Sequence, residues 1–160
     1  MKKLFVLAPW ALIVATPAMA QVLPAADYVK TAGASDLYER QSAQIVLKTT
    51  TNPAIRSFAT MMLTDHGKST AMVKSAALKS RVKVAPAKLT PAQAQMIAEL
   101  RTEAGTARDT TYVAQQKVAH GQALALQRAY ATDGKAAPLK LAAAKIVPVV
   151  EHHIMMLEAM

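Results

Sequence analysis

The run Asn52-Pro53-Ala54-Ile55-Arg56-Ser57-Phe58-Ala59, continued by Met62 and Asp65-His66, reads as the opening of one long amphipathic helix, from Pro53 to about Arg81. Asparagine is a good N-cap, because its side-chain oxygen accepts from a backbone N–H that the first turn leaves free. Proline suits the next position: its missing N–H would have had no partner there, and its φ is already helical. Beyond this start, Ile55, Phe58, Met62, His66, Ser69 and Val73 recur at steps of three and four. That spacing puts them on one face, with a histidine in the middle of an apolar stripe.

The same punctuation divides the rest of the chain. Pro24 precedes a first helix over about Ala25 to Thr49, which the β-branched run Thr49-Thr50-Thr51 ends. Val82 to Leu89, with Pro86, reads as a loop, and Thr90-Pro91 repeats the cap-then-proline start. Gly105 splits the following stretch into a short helix, Pro91 to Ala104, and a long one, Thr106 to Ala131. Asp133-Gly134 closes it, and a last helix covers about Ala136 to Met160, with a kink expected at Pro148. Four long helices with short connections predict an all-α, up-down-up-down four-helix bundle, with a short extra helix before the third long one.

Composition agrees. The chain has 160 residues, enough for one well-cored domain, expected over residues 21–160. Hydrophobic residues make up 52% but aromatics only 4%, with 5 Gly, which favours helices packed on small side chains over a sheet. The absence of Cys excludes thiol catalysis, Fe–S clusters, cysteine zinc sites and disulfides. Lys2 and Lys3, the apolar run Leu4 to Ala15, and Ala18-Met19-Ala20 form a secretory signal pattern over residues 1–20, cut before Gln21. The expected location is therefore the periplasm, with no transmembrane segment after cleavage. Loss of Lys2 and Lys3 lowers the net charge from +9 to +7. The remaining basic residues are scattered and lack aromatic interleaving, so they read as solvated helix faces and not as a nucleic-acid surface. Peripheral contact with anionic envelope surfaces is the partner they suggest.

One polar residue of each long helix falls on its inward stripe. Tyr28, Ala32, Glu39, Ala43 and Val46 share a face of the first; Tyr112, Val113, Gln116, His120, Ala123, Leu124 and Tyr130 share one of the third long helix. Ile146, Val149, Val150, His153, Leu157 and Met160 do so in the last. At ~1.5 Å per residue, Glu39 and His66 lie ~18 and ~22 Å from the Thr51 turn, and His120 and His153 ~21 and ~28 Å from Gly134. Glu39, His66, His120 and His153 are thus expected to converge in the core. They would either bind one divalent transition metal or form a closed hydrogen-bond network completed by Tyr112 or Tyr28. Met62 and Met156, each close in sequence to a histidine, add a Cu(I) alternative. A bundle di-iron site takes Glu three residues before His, but Leu63 and Val150 stand there, which argues against oxidase chemistry. The chain carries no Gly-rich phosphate loop and no Ser-His-Asp arrangement.

These residues resemble a bacterial family called domain of unknown function 4142. The resemblance is carried by Asn52 to Ala59 with Met62 and Asp65-His66, by Gly105 with Asp109, Tyr112 and His120, and by Pro148 with His153-Ile154. It covers about Ala26 to Leu157. It implies a ferritin-like four-helix bundle, exported by Gram-negative bacteria and often labelled a membrane or outer-membrane protein. The recurrent family positions match Glu39, Asp65, His66, Asp109, Tyr112, His120 and His153, which adds Asp65, Asp109 and Tyr112 as second-sphere expectations. Arg108 stands where the family usually has an aromatic. The function expected on this basis is non-enzymatic binding or a stress-associated role, with a metal-binding protein or metalloenzyme as the alternative.

Overall fold

The computed structural model describes residues 22–160, so the expected signal peptide, residues 1–20, lies outside it. Five helices form: α1 (Ala25–Val46), α2 (Pro53–Lys79), α3 (Pro91–Thr102), α4 (Gly105–Asp133) and α5 (Ala137–Glu158), with no strand among the described residues. The local start signals act as their chemistry dictates. Asn52 Oδ1 accepts from Ala54 N at 2.9 Å and Ile55 N at 3.4 Å. Thr90 and Gln93 close a reciprocal capping box on α3. At the other end of α2, Val82 N bonds Ala77 O at 2.9 Å and Arg81 N bonds Leu78 O at 3.1 Å. This is a Schellman closure, with Arg81 at φ 56° in the left-handed position usually given to glycine.

The direction of α4 differs from the expected up-down-up-down order. Tyr28 near the start of α1 bonds Gln127 near the end of α4, and Tyr38 bonds Gln115. Thr50, just past the end of α1, bonds Asp109 in the first turns of α4. α4 is therefore antiparallel to α1 and parallel to α2. Residues 80–104, including α3, run back along the molecule before α4 begins. A short connection would have reversed α4; this long one returns the chain to the end where α2 started.

Apolar side chains gather in two clusters. One joins Tyr28, Ala32, Val73, Ala77, Tyr130, Leu139, Ala143 and Ile146, with Tyr28 stacked on Tyr130 at 3.8 Å between ring centroids. The other joins Tyr38, Val46, Ile55, Phe58, Met62, Ile97, Leu100, Tyr112 and Leu157. Polar residues of four helices occupy the level between them. Two members of the expected α5 stripe, Val149 and Met160, are exposed. The inward ladder is Ile146, Val150, His153 and Leu157, from which Val149 is rotated by ~100°. α5 continues through Pro148, which lies on the exposed face of the helix together with Ala144, the residue whose carbonyl loses its helical partner to the proline.

Candidate metal centre

His66 on α2, His120 on α4 and His153 on α5 meet between the two apolar clusters, all three buried. Their ring centroids are 5.7, 5.7 and 5.3 Å apart. One ring nitrogen of each lies within 4.8 Å of the other two. Phe58 lies against the group, its centroid 6.0 Å from His120 and 6.2 Å from His153.

The hydrogen-bond partners assign the protons. His120 Nδ1 is 3.0 Å from the Gln116 carbonyl, which can only accept, so Nδ1 donates and Nε2 keeps its lone pair. His66 Nδ1 is 2.8 Å from Asp36 Oδ1, and His153 Nε2 is 3.3 Å from Asp65 Oδ2. Burial pushes the Asp65 carboxyl up, but hydrogen bonds from His153 and Lys68 outweigh it and hold the group below its ordinary range. Asp65 is thus an acceptor at neutral pH, and His153 Nε2 carries the proton. Each imidazole donates one N–H outward and turns its other nitrogen inward. His66 Nε2 is buried without a partner. His120 Nε2 and His153 Nδ1 face each other at 3.3 Å. Two nitrogens bound to one tetrahedral ion at ~2.0–2.1 Å would stand about 3.3–3.4 Å apart.

The charge states follow from burial and from the neighbouring carboxyl groups. Burial, reinforced by the nearby His66, lowers His120 to about 3 and His153 to about 4, so both are neutral. For His66, burial acts downward too, but the Asp36 hydrogen bond and the charges of Glu39, Asp36 and Asp65 raise it above its ordinary value. Three carboxyl groups therefore surround three imidazoles.

The other expected site residues divide. Glu39 is wholly buried and neither of its oxygens has a partner. Its Oε1 lies 3.7 Å from His120 Nδ1, on the side away from that ring's bare nitrogen, so Glu39 stands beside the converging nitrogens and not among them. Burial raises its carboxyl to about 7, against the pull of His66 and the neighbouring Gln116 amide. That amide directs its own N–H to Ser42 Oγ at 3.2 Å. Asp65 joins the site through His153. Tyr112 packs edge-on against Phe58 at 6.3 Å between ring centroids, and its buried hydroxyl bonds none of the histidines. Tyr28 spends its hydroxyl on Gln127 in the first apolar cluster, so neither tyrosine completes a network with the imidazoles. Asp109 lies away from the site: Thr50 Oγ1 donates to its Oδ2 at 2.8 Å, which ties α4 to the α1–α2 turn. Its neighbour Arg108 grips the same turn through Thr49 Oγ1 at 2.9 Å. Met62 and Met156 pack in the second apolar cluster.

Sequence reasoning passed over Asp36. It accepts from His66 through one oxygen and from Thr70 Oγ1 at 2.9 Å through the other. The signal was present, since Ala32, Asp36, Glu39 and Ala43 follow four-three-four spacing on the inward face of α1. A small cleft lined by Asp36, Asp65, His66 and His153, with Ser35 and Ser69, leads from the surface to the imidazoles.

A family model described as Domain of unknown function (DUF4142) matches residues 13–160. The chain belongs to this family. The DUF4142 match spans every helix and every residue of the histidine cluster. No curated protein and no solved structure matches the chain. No helix among the described residues is long and apolar enough to cross a membrane. For this DUF4142 chain the chemistry of the site rests on its own geometry: three converging ring nitrogens, an acidic surround and a cleft beside them.

Proposed function

We propose that this protein is an exported, ferritin-like helical bundle that binds one divalent transition metal ion through His66, His120 and His153. The observation that carries the reading is the arrangement of the rings: one N–H of each is committed to an outer acceptor, and its second nitrogen is aimed at the other two rings. Imidazole ligands commonly hold their second nitrogen this way, because the outer acceptor sets the tautomer and strengthens the donor. A closed hydrogen-bond network would need a proton between His120 and His153, and both rings have already spent theirs outward. Imidazole suits Zn²⁺, Cu²⁺, Ni²⁺ and Fe²⁺. The long crossover between α2 and α4 supports the ferritin-like reading, since that fold takes one such connection. The signal pattern at residues 1–20 supports export to the periplasm.

The test is titration of chelator-stripped protein with Zn²⁺ and Co²⁺, followed by calorimetry and, for Co²⁺, by its ligand-field absorption. One ion per chain is expected, with a rise in thermal midpoint that is lost in the variant carrying His66→Ala, His120→Ala and His153→Ala. The same exported preparation, weighed intact, should begin at Gln21. A wild-type protein that purifies metal-free and shows no thermal shift with Zn²⁺, Cu²⁺ or Fe²⁺ would overturn the metal reading.

A further inference from the structure

A second concavity lies on the opposite face of α1, and the crossover makes it. Tyr38 OH, Gln115 and Glu99 pin the far part of α3 against α1 and α4: Tyr38 donates to Gln115 Oε1 at 3.0 Å, and Gln115 Nε2 to Glu99 Oε2 at 2.8 Å. At the other end, the crossover closes on α1 where a Cβ at Gly33 would stand only 3.5 Å from Ala87 Cβ. Between these two anchors the chain bridges a groove of about 1210 Å³, counting the solvent at its mouth. The small side chains Ala34, Ala119 and Ala123 leave room between α1 and α4 instead of filling it.

The lining mixes apolar side chains, neutral polar ones such as Thr31, Gln93 and Gln122, and two cations. Leu89, Met96, Val118, Leu126 and alanines form its apolar walls, and Val118 is 57% exposed in the middle of α4. Lys30 and Lys88 stand at the rim, toward the end where α1 begins, and no lining residue among those described is acidic. Residues 30–38 of α1 give the groove a length of ~12 Å. An exposed apolar trough with cations at one end complements a molecule built the same way: an apolar body with an anionic head.

From this we propose that the groove between α1, α4 and the crossover binds a small amphipathic organic anion, its acyl or aryl body along Met96, Val118 and Leu126 and its carboxylate or phosphate at Lys30 and Lys88. The charge complementarity selects an anion, because burial of a neutral or cationic head beside two ammonium groups gains nothing. This site is separate from the histidine cluster and does not rest on the metal reading.

Calorimetric titration of the purified, chelator-stripped protein with decanoate and with decanol tests it. One decanoate per chain is expected at micromolar affinity, with decanol at least tenfold weaker. Lys30 and Lys88 are exposed, so Lys30→Glu with Lys88→Glu should leave the circular dichroism spectrum unchanged and weaken decanoate at least tenfold. Val118→Trp should block decanoate and decanol alike. Absence of decanoate binding, equal affinity for decanoate and decanol, or decanoate affinity unchanged by the charge reversal would each overturn the proposal.

Discussion

Asp36, Gln116 and Asp65 each take one imidazole proton, so the state of the site is set by groups that would never touch an ion. Asp36→Asn keeps the shape of the acceptor and removes its charge. It should weaken Zn²⁺ binding about 10–100-fold, the usual cost of losing an outer partner, read by competition with a chelator. Unchanged affinity would mean that the outward proton of His66 plays no part. Glu39 answers to pH. Its buried carboxyl titrates at about 7 in the folded chain, against 4.5 ordinarily, because burial penalises the charged form. Below pH 4.5 both folded and unfolded states hold the proton and nothing is lost. Between 4.5 and 7 the unfolded state ionises first, so the wild type loses stability as pH rises. Glu39→Gln does not titrate. In urea unfolding of metal-free protein, its stability advantage should grow across that interval and level off at about 1–3 kcal/mol above pH 7, trimmed by the lost attraction for His66. A constant difference from pH 4 to 8 would refute the assignment.

Among the helices, glycine placement separates tolerance from constraint. Gly67 and Gly121 each follow a site histidine within a helix, and a Cβ at either would meet nothing within 4 Å. Glycine inside a helix costs about 0.5–1 kcal/mol relative to alanine through backbone entropy. Gly67→Ala and Gly121→Ala should each raise stability by about that amount. Gly134, at the end of α4, is the opposite case: a Cβ there would stand 2.5 Å from Tyr130 O and 2.6 Å from the Tyr130 ring. That ring is stacked on Tyr28 and cannot yield freely. Gly134→Ala should lower stability by about 1–3 kcal/mol, the usual cost of overpacking. Urea midpoints of the three variants check the signs together. Loss of stability in all three would show that the glycines at 67 and 121 serve a close approach.

For the molecule as a whole, the imidazoles dominate the response to acid. His120 and His153 titrate at about 3 and 4 in the folded state, against 6.5 when unfolded, so folding keeps them neutral. Their penalty is absent above pH 6.5 and grows as pH falls toward 4, because only the unfolded chain can take up the protons. His66 and Glu39 work the other way: both have raised values and favour the folded state at lower pH. With two buried imidazoles held neutral, stability should fall between pH 6.5 and 4. Growing self-repulsion in a chain of formal net charge +9 adds to the loss. Replacing His120 and His153 together by Gln should flatten this acid limb in a pH series of urea unfolding. An acid limb as steep as that of the wild type would place the titration elsewhere.

Helix positions were legible in the sequence because their causes are local. Asn52 and Thr90 bond backbone groups within three residues, and the apolar periodicity belongs to each helix alone. The level of the histidines was legible for a less obvious reason. His120 lies near the middle of α4, ~22 Å from its start, so its depth is nearly the same whichever way the helix runs. The convergence of His66, His120 and His153 therefore survived an expectation that had α4 pointing the wrong way. Only the tertiary structure decided that direction. Residues 82–89 carry no periodicity, and a loop followed by a 12-residue helix can turn back locally or cross the molecule with equal local cost. The same limit explains the carboxylates. Whether Asp36, Asp65 or Asp109 reaches a histidine depends on which helix lies opposite: α1 against α2 gives Asp36 to His66, α2 against α5 gives Asp65 to His153, and antiparallel α1 and α4 give Asp109 to Thr50. Local rules set where each helix starts and which face is apolar; the pairing of faces, and with it the proton on each ring, is a property of the assembled core.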